Sequence, residues 1–82
     1  MSLHLEPIRV ATGSGDEEGR LVLMQDRLVA VLVRLSEQHG PDAGRWFLEA
    51  GLGPLAGPDQ PSFAGLDEAQ DWILRRLDGL RT

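Results

Sequence analysis

The chain has 82 residues, no cysteine and a formal charge of −5. That length supports one small core, which buries only about 60 to 65% of the surface its unfolded chain exposes. The missing thiols exclude a disulfide framework and a thiolate metal site, and the acidic balance disfavours binding to duplex nucleic acid or anionic lipid. All eight basic residues are Arg, and Lys, Asn and Tyr are absent. Codons for the missing residues are AT-rich, so a GC-rich, bacterial gene accounts for the arginines without any ligand.

The N-terminal Met-Ser-Leu-His-Leu-Glu-Pro has no basic region followed by an apolar one, and the longest apolar run is broken by Gln25, Asp26 and Arg27. Neither a signal peptide nor a membrane span is expected, and the cytoplasm is the default compartment.

Residues 3 to 11 alternate loosely and read as a first strand, with Pro7 suited to a sheet edge because it cannot donate to a ladder. Thr12 to Gly19 reads as a polar loop, and a second strand is expected from about Arg20 to Met24. Gln25-Asp26-Arg27 is a turn of uncertain length, because it lacks the Asn-Gly or Asp-Gly pair that fixes a tight hairpin. A two-residue loop groups Val22 and Met24 with Val29, Val31, Val33 and Leu35. It groups Leu21 and Leu23 with Leu28, Ala30, Leu32 and Arg34. A three-residue loop would rearrange both sets.

Ser36 to Gly44 reads as a surface connection, and Arg45 to Leu52 as a fourth strand with Trp46, Leu48, Ala50 and Leu52 on one face. Residues 53 to 65 contain Gly53-Pro54, Gly57-Pro58 and Pro61, which prevent a persistent helix or strand; Leu55 and Phe63 are the residues that can pin this segment. Leu66, Ala69, Ile73, Leu77 and Leu80 form a helical stripe widened by Trp72. Gly65 is the expected N-cap with Glu68 at N3. Asp67, Glu68 and Asp71 near the start and Arg75, Arg76 and Arg81 near the end complement the helix dipole.

The motifs that carry chemistry are sparse. Gly13-Ser14-Gly15 resembles a phosphate cradle only superficially, since Asp16, Glu17 and Glu18 follow it and repel an anion. His39 with Glu37 and Asp42 is too loose a set for zinc. Ser14, Ser36 and Ser62 lack a nucleophile elbow to pair with His4 or His39. Asp67 and Glu68 read as helix-start residues rather than an acid–base pair, and Trp46 and Trp72 as core. No catalytic residue, metal or cofactor is expected.

The expected fold is α+β: residues 1–82 as one domain, a four-stranded antiparallel meander with one C-terminal helix on one face. The helix is expected over Ile8, Val10, Val22, Met24, Val29, Val31, Val33, Trp46 and Leu48. The opposite face then has Leu21, Leu23, Leu28, Ala30, Leu32 and Phe47 at its centre, with Arg9, Arg34, Arg45 and Glu49 around it. An apolar centre with a charged rim is interface anatomy. The expected function is therefore protein interaction or homodimerisation, through Leu21, Leu23, Leu28, Leu32, Phe47, Arg34 and Arg45. Two alternatives stand beside it. In one, the sheet coils and residues 53–65 cover the second face. In the other, the chain is an anionic-metabolite-binding domain or enzyme accessory protein that uses Arg34 or Arg45.

Overall fold

A computed structural model describes residues 3–12, 15–57 and 60–79. It contains an antiparallel sheet in the order β1-β2-β3-β4-β5: β1 is Leu3–Arg9, β2 Glu18–Met24, β3 Arg27–Arg34, β4 Trp46–Gly51 and β5 Ser62–Phe63. One helix, α1, spans Leu66–Gly79, and two 3-10 turns occupy Glu37–Asp42 and Gly53–Leu55. The α+β class and the meander are as the sequence pattern indicates, with β5 added at the far edge.

The β2–β3 hairpin closes through Gln25 and Asp26, since Met24 pairs with Arg27. The register then shifts: Leu23 pairs with Leu28, but Val22 pairs with Ala30, leaving Val29 as an extra residue in β3. A bulge of this kind reverses the facing of every residue beyond it. Ala30 and Leu32 therefore join Val22 beneath the helix, and Val31 and Val33 turn to the other side. A second shift makes Glu49 the extra residue between the Leu32–Leu48 and Val31–Ala50 pairs, so Ala50 does not share the face of Trp46 and Leu48.

The core consists of Val22, Ala30, Leu32, Trp46, Leu48, Leu55, Phe63, Ala69 and Ile73, with Leu3, Leu5, Val29, Leu66, Trp72 and Leu77 packed against it. Ala69 and Ile73 come from the stripe that the helical period marks, and each is fully buried. Phe63 meets Trp72 with ring centroids 5.6 Å apart. Leu55 and Phe63 pin the Gly-Pro segment on the helix side, while Gln60 and Ser62 of the same segment line a cleft at the edge of the second face with Val33 and Phe47.

The start of α1 follows from its sequence: Ala69 N–H donates to Gly65 O, and the Glu68 carboxylate reaches back to the backbone N–H of Ala64 at 2.8 Å. That back-bond satisfies a donor just ahead of the helix. Asp71 and Arg75, four residues apart on the helix, form an ion pair at 3.1 Å. Leu80 and Arg81 lie outside the described residues.

Candidate functional site

Strand pairing arranges the side of the sheet away from the helix as three rows. Ile8, Gly19, Val33 and Phe47 form the first; Glu6, Leu21, Val31 and Ala50 the second; His4, Leu23 and Leu28 the third. Ile8 is 40% exposed and Leu28 39%, while Leu21, Leu23, Val31 and Phe47 are half-buried. These side chains make a continuous apolar surface, with His4 and Glu6 paired to each other along the β1 edge.

Of the seven expected interface residues, Leu21, Leu23, Leu28 and Phe47 are on this face. Leu32 is not: the bulge turns it under the helix, where it is completely buried. Nor is Arg34, which pairs across strands with Trp46 on the helix side and lies 3.7 Å from Glu18. Arg9 likewise falls opposite Glu18 and is on the helix side of the register, 3.2 Å from Glu17. Arg45 neighbours Phe47 at the far edge, where its guanidinium donates to both Oγ and the backbone O of Ser62 at 3.1 Å each. Arg34 and Arg45 therefore do not converge on a common anion. Conversely, Ile8, Val10, Val31 and Val33, assigned from alternation to the helix side, belong to the open face.

At the end of this face remote from the hairpin, a cleft of about 450 Å³ is lined by Val33, Leu35 and Phe47 together with Thr12, Asp16, His39, Asp42, Glu49, Gln60 and Ser62. Asp16 is 8% exposed and joins two distant segments. Its Oδ1 accepts the Ser36 backbone N–H at 2.7 Å, and its Oδ2 lies 2.6 Å from His39 Nε2. Ser36 holds the Asp16 carboxyl well below the usual carboxylate range, through its hydroxyl and its backbone N–H, and His39 adds to the effect while burial opposes it. The backbone N–H and the imidazole make the firm contacts, because the Ser36 hydroxyl lies outside hydrogen-bonding geometry. An ionised carboxylate can only accept, so a hydrogen bond between it and His39 requires the proton on Nε2.

Sequence reasoning missed this pair because 23 residues separate its members. The other candidate sets do not assemble. His4 is engaged with Glu6, Ser36 contributes its backbone to Asp16, and Ser62 is held by Arg45. Gly13 and Ser14 lie outside the described residues. Among the described residues, no group of three or more His, Asp and Glu side chains is placed to hold a metal. A larger hollow of about 650 Å³ lies along β1 and β2, but its charges pair locally: Arg9 with Glu17, and Arg20 with Glu18 at 3.6 Å. Arg20 also lies over the Trp46 ring, 5.1 Å from its centroid.

No described helix is long and apolar enough to cross a membrane. Neither family models, curated proteins nor solved structures yielded a match to this chain.

Proposed function

We propose that the chain is a homodimerisation module whose two copies stack through the open sheet face. The observation that carries this reading is the apolar surface made by Ile8, Leu21, Leu23, Leu28, Val31 and Phe47 on the side opposite the helix. Four strands about 4.8 Å apart, each contributing about six residues at roughly 3.3 Å, give a footprint of roughly 380 Å². This outline, which includes His4 and Glu6, matches the largest apolar patch of an ordinary soluble monomer, about 300–600 Å², and such patches are often functional.

A second copy suits the surface because the first row has its bulky open groups at its two ends. Ile8 and Phe47 flank the buried Gly19 and Val33. A two-fold axis along the strands sets Ile8 of each copy over Phe47 of the other, which gives the self-complementary contact an isologous dimer requires. The footprint is small beside the roughly 800 Å² per partner of standard specific interfaces, so a weak dimer in the micromolar range is expected.

Sedimentation equilibrium over a micromolar concentration series tests the reading, with Leu28→Asp as the variant because Leu28 is already partly exposed. The expected result is a concentration-dependent dimer in the parent and a folded monomer, by circular dichroism, in the variant. A parent that stays monomeric at several hundred micromolar, or a variant that dimerises unchanged, overturns the proposal.

A further inference from the structure

The turn Glu37–Asp42 stands against one end of the open face with none of its own residues buried. Its C-terminal end is tied to the sheet, where Gly44 N–H donates to Leu35 O and Leu35 N–H to Arg45 O, both at 2.8 Å. Its internal bonds, from His39 N–H to Ser36 O and from Ala43 N–H to Gly40 O, stabilise its shape but not its docking. Among the described residues, docking falls mainly to Asp16, which contacts Ser36 and His39, with the Gln38 side chain lying beside Gly15.

We infer that this turn is a latch, closed by Asp16, that restricts how much of the open face can take part in association. The inference rests on the homodimer reading and names a control built into the same surface. With the latch closed, His39 and Asp42 line a cleft with Val33, Leu35 and the half-exposed Phe47, which Glu49, Gln60 and Ser62 complete, rather than leaving a flat surface. With the latch open, Val33, Leu35 and Phe47 become continuous with Leu21 and Val31, and the apolar area available to a second copy grows.

The geometry makes the latch separable from the fold. An apolar turn packed into the core could not be released without unfolding. A solvent-exposed turn whose hydrogen bonds across the cleft converge, among the described residues, on one carboxylate can swing about its Leu35 and Gly44 attachment, and Gly44 supplies a left-handed φ of 87° there. Asp16 acts as a positioning residue, through Ser36 and His39, and need touch no partner.

Two variants open the latch by different means. Asp16→Ala removes the acceptor. Ser36→Pro removes the donor N–H while preserving a backbone angle proline favours, since Ser36 has φ −79°. Either is expected to speed cleavage after Glu37 by a glutamate-specific protease at least tenfold, and to lower the dimer dissociation constant at least threefold. Adding Leu28→Asp to Asp16→Ala should abolish that gain. Unchanged cleavage in both variants overturns the latch. Faster cleavage with unchanged or weaker association overturns its control of the face and leaves the dimer standing. A tighter association that survives Leu28→Asp overturns it too. Failure of the dimer reading is distinguishable, because Leu28→Asp alone would then leave association untouched.

Discussion

Val22 sits directly across from Ala30, not from Val29, and this one-residue displacement decides which side of the sheet becomes core. Leu32, two residues on from Ala30, is thereby buried completely between strands and helix, while Leu28, on the hairpin side of the displacement, keeps 39% exposure. Leu32→Ala should destabilise the fold by about 2 to 5 kcal/mol, as cavity-forming leucine truncations do. Leu28→Ala should cost less than about 1 kcal/mol when measured below the dimer concentration range. Urea unfolding of both variants checks the assignment; similar losses at the two positions would contradict it.

Gly51 makes a second tight juxtaposition. A Cβ there would meet the Leu55 carbonyl oxygen at 2.2 Å and its carbonyl carbon at 2.7 Å, and backbone atoms cannot yield as a flexible side-chain end can. Gly51→Ala must therefore push the Gly53–Leu55 turn off the end of β4, drawing Leu55 from the core. The expected cost is about 2 kcal/mol or more, within the range for overpacking. It would be seen as a lower urea midpoint together with faster amide exchange at Leu55 and Ala56. A variant as stable as the parent would show that the turn does not press on the strand.

The hairpin offers a stabilising substitution. Gln25 adopts φ 60°, a conformation that costs an ordinary L-residue about 1 kcal/mol and that tight hairpins usually assign to Gly or Asn. Gln25→Asn should raise stability by about 0.5 kcal/mol, because it better tolerates that conformation without the full entropy penalty of glycine. Thermal unfolding monitored by circular dichroism is the measurement. A lower melting temperature would indicate that the Gln25 side chain contributes contacts that outweigh its backbone strain.

Much of the architecture was legible because it depends on periodicity. The stripe through Ala69 and Ile73 has one solution as a helix, and the acidic start and basic end of α1 agree with it. Leu21, Leu23, Leu28 and Phe47 were identifiable as a greasy face for the same reason. The facing of Leu32, Val31 and Val33 was not, because alternation gives a strand's two sides but not the point at which an extra residue exchanges them. No side-chain signature marks Val29 or Glu49 as that residue; sheet twist and the demands of packing decide it. The two-residue β5 is too short for any pattern, and the Asp16–His39 contact depends on loops meeting in space.

That contact makes acid stability a direct test of the site. The Asp16 carboxyl titrates below its ordinary value of 3.8 in the folded chain, with Ser36 the principal cause and His39 next. A folded-state value depressed in this way contributes stability that is fully present above about pH 5 and lost as pH falls through 3.8 toward the lower folded value. Asp16→Ala lacks the contribution at every pH, so the parent should exceed it in stability at about pH 5, and the margin should shrink below about pH 4. Titration of the other carboxylates acts on both chains alike and cancels in the difference. Urea unfolding at matched ionic strength across this range supplies the measurement. A margin that stays constant down to pH 3, or widens on acidification, would mean that Asp16 is not held as an ionised acceptor by Ser36 and His39.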